Sequence, residues 1–272
     1  MPTSIGTTQM NWMSDQRYML DKQYKDADNF HARAALHARF GTNEYPWPRW
    51  VFDHFDLPAD GRILELGCGP ALLWRNNLDR IPVEWNITLS DFSPGMVQEA
   101  RQYLSGNEHP FAFEQIDIQS ISFPDDSFDA VVANHMLYHV PDREKGIAEV
   151  RRVLKPGGYF YAATNGEPHL RELFEWMKKI APDCLGKDPP STRGFALENG
   201  AEQLSRSFAE VEMDRYEEDL KVTEAEPFVA YVASTDRLND DQLATLAEQV
   251  AAKIERCGTI HITKSQGLFI SF

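Results

Sequence analysis

Cysteine is scarce in this chain: Cys68, Cys184 and Cys257 are its three copies. They lie far apart and are odd in number, which excludes a disulfide framework or a cysteine-based metal site and suits a reducing, cytoplasmic setting. No metal is expected. No run approaches the roughly 20 apolar residues that span a bilayer, and Met1 to Met10 lacks the basic-then-apolar pattern of an export leader. A membrane partner is therefore not expected. Basic charge is also short, with 27 Lys and Arg against 42 Asp and Glu for a net −15. Such a field repels phosphate backbones, so nucleic acid is excluded as a partner, and neutral or cationic small molecules are mildly favoured. Internal repeats and low-complexity tracts are absent.

The chain does have enough apolar residues to fold, 42% of 272, with a quarter charged, which is ordinary globular usage. From Gly61 to Thr164 short apolar runs alternate with amphipathic stretches, the βαβα pattern of a parallel sheet covered by helices on both faces. Strands are expected at Arg62–Leu66, Trp85–Ser90, Phe111–Ile116, Ala130–Ala133 and Tyr159–Ala163. Ser93 before Pro94 caps one helix, and Asp142 caps the next, which ends at Lys155-Pro156-Gly157-Gly158. Upstream, Tyr18 to Phe55 reads as helices broken around Thr42–Pro48. Downstream, helices are expected at Pro168–Ile180, Glu198–Phe208, Glu224–Ser234 and Asp240–Arg256. Strands at Ala209–Arg215 and Leu268–Phe272 complete the sheet, with a further short strand at Thr259–Thr263.

The first strand ends in Leu64-Glu65-Leu66-Gly67-Cys68-Gly69-Pro70, two glycines where the chain must turn sharply and let its backbone approach a ligand. A dinucleotide fingerprint would place a third glycine where Leu72 stands, which disfavours an NAD-linked oxidoreductase. The second strand ends in Asp91, 24 residues after Gly67, the separation expected of a carboxylate that accepts ribose hydroxyls. Asp91 could instead cap the following helix, although Ser93 is better placed to do so. The third strand ends in Asp117-Ile118, where Asp117 could otherwise be a strand-terminating turn residue.

Glu65-Leu66-Gly67-Cys68-Gly69 resembles the first motif of class I S-adenosylmethionine-dependent methyltransferases, with Ala71 where that family often has glycine. Phe123-Pro124-Asp125-Asp126-Ser127-Phe128-Asp129 through Val140 resembles the family's fourth-strand region, and Lys155-Pro156-Gly157-Gly158 its turn before strand five. The small-molecule, UbiE-like branch is the most similar. The resemblance implies a doubly wound α/β fold with a mostly parallel seven-stranded sheet, a helical N-terminal lid over 1–60 and a methyltransferase domain over 61–272. Within that domain, 165–208 would be an insertion covering the acceptor. It also implies S-adenosylmethionine as cofactor, with S-adenosylhomocysteine as product. The cofactor would be held by Glu65, Gly67, Cys68, Gly69, Asp91, Phe92, Met96, Asp117, Ile118, Asn134 and His135, with Tyr24 from the lid.

Methyl transfer needs positioning more than covalent help, and a base only if the nucleophile arrives protonated. His139 and His135, after the fourth strand, are the candidate bases, although either could be structural. Tyr45, Tyr138, His139, His169, Trp176 and Phe195 are expected to line an acceptor pocket. The expected activity is methylation of an oxygen, nitrogen or carbon of a small molecule by a monomer or homodimer. The other reading left open is a protein that binds the cofactor without catalysis.

Overall fold

The computed structural model describes residues 28–185 and 194–272. Tyr24 and the proline-rich stretch 187–190 lie outside the described residues. Nine strands are described: β1 (Arg62–Leu66), β2 (Asn86–Asp91), β3 (Phe111–Gln115), β4 (Phe128–Asn134), β5 (Leu154–Asn165), β6 (Val211–Tyr216), β7 (Asp219–Val222), β8 (Ile260–Thr263) and β9 (Gln266–Ser271). Seven of them form one sheet in the order β3-β2-β1-β4-β5-β9-β6. Pairings from β3 through β5 are parallel, and only β9 runs against its neighbours. The chain builds outward from β1 in one direction, then returns to add β4 on the other side. A doubly wound sheet of this kind leaves a crevice outside the carboxyl ends of β1 and β4.

Period-two alternation divides the sheet's side chains between two cores. Leu64, Leu66, Val131, Ala133, Phe160 and Ala162 pack on one face, while Ile63, Ile87, Leu89, Val132, Tyr161 and Ala163 pack on the other. Helix α4 (Pro94–Tyr103) follows an α1–α3 set at Asp28–Phe40, Trp47–Asp53 and Leu72–Arg75. It starts where expected: Ser93 Oγ accepts the Met96 amide at 3.4 Å and Pro94 occupies the first turn. Helix α5 (Arg143–Val153) is capped by Asp142, whose Oδ1 accepts the Lys145 amide at 3.0 Å. The Lys155-Pro156-Gly157-Gly158 segment is taken into β5 rather than standing before it. Leu154 already pairs with Phe128, and a register shift follows before Ala130 meets Tyr159.

The additions differ from expectation. The stretch 165–208 divides: α6 (Arg171–Ile180) joins a third apolar cluster, whereas Phe195, Leu197, Leu204 of the short helix α7 (Gly200–Leu204) and Phe208 pack beneath the sheet. The larger addition interrupts the β6–β9 hairpin. It carries β7, α8 (Ala225–Ala233), α9 (Asp240–Cys257) and β8. Strand β7 pairs with β8 as a separate two-stranded sheet; its four residues are too few for periodicity to reveal. Leu36 and Phe40 of α1, Leu173 and Met177 of α6, Phe228 of α8 and Val250 of α9 close over Leu220 and Ile262. That module stands beside the carboxyl edge of the sheet and brings α1 with it.

Candidate active site

A cavity of about 1070 Å³ opens along this carboxyl edge. Its floor begins at the glycine turn, where Gly67 and Gly69 have φ of +70° and +51°, a region that glycine enters freely. A Cβ on Gly67 would lie 2.8 Å from Met136 Cβ, whereas a Cβ on Gly69 would meet nothing within 4 Å. Gly69 therefore exposes bare backbone to the cavity. Ala71, at φ 56°, takes the left-handed conformation as a non-glycine and caps the four-residue α3.

Asp91 ties the next strand to this turn. Its Oδ2 accepts the Gly69 amide at 3.0 Å and its Oδ1 the Ser93 amide at 2.8 Å. Burial pushes the carboxyl up to about 6, and the amides of Ser93, Gly69 and Phe92 oppose that rise. A carboxylate has about four lone-pair directions, so these two bonds leave acceptor capacity on the cavity side. Phe92, Met96, Asp117, Ile118 and Asn134 also line the cavity. Asp117 additionally caps a short turn of helix by accepting the Gln119 amide at 2.9 Å.

Glu65 does not reach the cavity. It is 2% exposed, and its two oxygens accept Trp74 Nε1 at 2.7 Å and Asn134 Nδ2 at 3.2 Å. Burial raises it to about 7. Strand alternation turns Glu65 away from the ligand side, and its influence passes through Asn134, whose Oδ1 is buried without a partner among the described residues. The Cys68 side chain is likewise turned inward into the second core, where burial pushes its thiol up. What Cys68 offers the turn is its backbone, whose amide donates to Ser90 O at 2.8 Å.

The acceptor-side expectations separate similarly. Tyr138, His139, His135 and His169 line the cavity. His135 has φ +53° and lies 5.3 Å from the Trp47 ring; burial, then the Lys264 charge, lowers it to about 4. His169 accepts the Ser265 amide at 3.2 Å and is held neutral by burial. Tyr45, Trp176 and Phe195 are corrections. The Tyr45 hydroxyl faces outward and donates to Asp53 at 2.6 Å. Trp176 packs in the third cluster under Lys179. Phe195 is core, edge-on to Phe269 at 5.6 Å between centroids.

Sequence reasoning overlooked Asn165, Tyr216, Glu218, Tyr231, Lys264 and Gln266, which all line the same cavity. They come from strand ends and from the β6–β9 insertion, and no local motif marks them. Among the described residues, no group of His, Cys, Asp and Glu could hold a metal, and no helix is long and apolar enough to cross a membrane.

A family profile described as "Methyltransferase domain" matches residues 64–162, the span containing the glycine turn, Asp91, Asp117 and β4. Over that span the chain is similar to the methyltransferase-domain family. The chain is 28% identical over 195 residues to the ubiquinone/menaquinone biosynthesis C-methyltransferase UbiE of Serratia proteamaculans, covering 65% of this chain and 76% of that protein. It is 32% identical over 147 residues to a demethylmenaquinone methyltransferase of Desulfitobacterium hafniense, 52% of this chain and 58% of the relative. Among such relatives, the chain spans from 4% to 76% of their lengths. Its fold is shared with a putative methyltransferase from an antibiotic biosynthesis pathway of Anabaena variabilis, with TM-score 0.60 and 14% identity. That match covers 83% of this chain and 96% of the other.

The site fits S-adenosylmethionine on its own observations. Among the described residues, Gly69 leaves open space where a side chain would stand and Asn134 Oδ1 is an acceptor without a partner, while Asp91 has spare acceptor capacity. It fits a dinucleotide less well. Helix α3 is four residues long, too short to build the helix N-terminus on which a pyrophosphate rests.

Proposed function

We propose that the chain is an S-adenosylmethionine-dependent methyltransferase that methylates a small-molecule acceptor by direct in-line transfer. The observation that carries this reading is a single cavity running from Gly69, Asp91 and Asp117 past His135 and His139 to Asn165 and Gln266. At about 1070 Å³ it reaches the top of the range of about 300–1,000 Å³ typical of ligand pockets, which leaves room for two ligands. When bound, S-adenosylmethionine supplies an electrophilic methyl group on a positively charged sulfur.

The roles of the chain's own residues follow from their placement. Gly67 and Gly69 bring backbone close to the cofactor, and the Asp91 carboxylate accepts from its ribose. Asp117 and Ile118 serve the adenine end, with Phe92 and Met96 as apolar walls. Asn134 Oδ1, held in place by Glu65, accepts from the cofactor's ammonium. Fixing two reactants side by side is worth up to about 7–11 kcal/mol of the barrier. His139 is assigned as the group that takes a proton when the acceptor arrives protonated, a contribution of roughly 10²–10⁴ in rate. His135, at about 4, is too weak a base for that task at neutral pH and is assigned to the wall. The cysteine usage supports a cytoplasmic setting.

Calorimetric titration with S-adenosylhomocysteine, with NADH in parallel, tests the reading without an acceptor in hand. One-to-one binding of the first ligand alone is expected, and labelled-methyl transfer then identifies acceptors. Binding of NADH alone, or of neither, would overturn it.

A further inference from the structure

Asn165, Gln266 and Tyr216 stand on one rung of the sheet. Gln266 of β9 is in register with Asn165 of β5 on one side and Tyr216 of β6 on the other. All three line the cavity. Strand β9 lies three strands from β1, about 14 Å at the usual spacing of about 4.8 Å, so this rung is at the far end from the glycine turn. Around it stand His37 from α1, His169 before α6, and the Lys264–Glu218 ion pair contributed by the two ends of the β6–β9 insertion.

The ion pair is deeply buried, with side chains 4% and 8% exposed. It is also confined: a Cβ at Gly41 would come within 2.3 Å of Glu218 Oε1, so the bare backbone of that turn lies against the carboxylate. Three buried polar atoms nearby have no hydrogen-bond partner among the described residues, namely His37 Nδ1, Asn165 Oδ1 and Gln266 Nε2. Buried polar groups are almost always satisfied, and three orphans in one cavity wall mark hydrogen bonds reserved for a ligand. Trp47, edge-on to Tyr216 at 5.3 Å and tilted over His135 at the same distance, supplies a flat aromatic wall.

We propose that this rung is the acceptor subsite, built for an uncharged planar molecule bearing hydroxyl or carbonyl groups, and that it rejects ammonium and carboxylate acceptors. The proposal rests on the methyltransferase reading above. Its warrant is charge accounting at the far end of the cavity. An ammonium group there finds one carboxylate, already committed to Lys264; a carboxylate finds Lys264, already committed to Glu218, while Arg33 on the same cavity wall is engaged by Ser234, donating to its Oγ at 3.0 Å and its carbonyl at 2.8 Å. Burying an unpaired charge is far more costly than burying a hydrogen-bonded neutral group. Burial and the Lys264 charge keep His37, His135 and His169 neutral, so they add no countercharge. Of the other carboxylates on the wall, Asp91 and Asp117 serve the glycine-turn end and Glu44 is exposed. The overall charge of −15 favours cations in solution, yet the inner subsite is neutral.

The test uses three near-isosteric probes, 4-hydroxybenzamide, 4-hydroxybenzylamine and 4-hydroxybenzoate, titrated calorimetrically into protein saturated with S-adenosylhomocysteine. The amide is expected to bind at least tenfold tighter than either charged probe. Glu218→Gln, which leaves Lys264 unpaired, should move the preference toward 4-hydroxybenzoate by at least tenfold. Gln266→Met conserves volume and should weaken the amide about tenfold, a second arm that survives if Glu218→Gln does not fold. Preference for a charged probe in the wild type, no binding of any probe, or unchanged amide affinity in Gln266→Met would overturn the subsite. Failure of S-adenosylhomocysteine itself to bind would instead overturn the methyltransferase reading, so the two failures are distinguishable.

Discussion

Asp91 and Gly69 are joined across the end of the sheet, the aspartate Oδ2 accepting the glycine amide at 3.0 Å. One carboxylate thus fixes the shape of the turn while keeping acceptor capacity for a ligand. Asp91→Ala should lower S-adenosylhomocysteine affinity by roughly tenfold to a hundredfold, the scale of a charge-assisted hydrogen bond. Calorimetry on the folded variant reads this directly, and unchanged affinity would remove the ribose assignment.

The glycine turn also permits a clean comparison of two positive-φ positions. Gly67→Ala meets both a left-handed φ of +70° and Met136 Cβ at 2.8 Å, whereas Gly157→Ala, at φ +75°, meets nothing within 4 Å. The conformational cost is about 1–2 kcal/mol at each. Urea unfolding should therefore show a larger loss for Gly67→Ala, with the excess due to the Met136 contact. Equal losses would mean that Met136 moves aside freely.

Much of this architecture was legible in the sequence because local signals agreed with the global fold. Strand β1 was read to the residue, and Ser93 and Asp142 cap the helices they announce. The sheet core from β1 to β5 is set by short apolar runs that nothing else explains. The acceptor side was harder to read. Glu218 and Lys264 are 46 residues apart, and only closure of the β6–β9 insertion brings them together. Trp176 and Phe195 are apolar residues on amphipathic or loop segments, and composition cannot tell a pocket wall from a core. Glu65 was read as a ligand contact because the glycine motif begins there, but strand alternation turns it inward.

The two histidines after β4 should behave differently once an acceptor is identified. His139→Gln should lower kcat by roughly 10²-fold or more at pH 7 and abolish the acidic limb of the kcat–pH profile. His135→Gln should leave that limb in place, since a group at about 4 is already deprotonated from pH 6 upward. A lost acidic limb in the His135 variant, with a normal limb in the His139 variant, would reverse the assignment.

Glu65 gives the fold a pH signature of unusual sign. Its carboxyl sits at about 7 in the folded chain against an ordinary 4.5, so between those values the folded state holds the extra proton. Stability from this group is therefore greatest at low pH and declines as pH rises through 4.5 to 7, by roughly 3 kcal/mol if the whole separation is realised. Asp91, raised from 3.8 to about 6, acts in the same direction but is spent by pH 6. The decline between pH 6 and 8 is thus chiefly that of Glu65, and Glu65→Gln should flatten it in urea unfolding. Trp74 and Asn134 donate to different oxygens of Glu65, and in a glutamine an NH2 group stands where one of those oxygens was; with the oxygen kept toward Trp74, Asn134 loses its acceptor. The Asn134 amide is then free to turn, and S-adenosylhomocysteine affinity should fall about tenfold even where the variant is the more stable protein. A variant with an unchanged slope would show that Glu65 is ionised throughout; one with unchanged affinity would show that Asn134 needs no support from below.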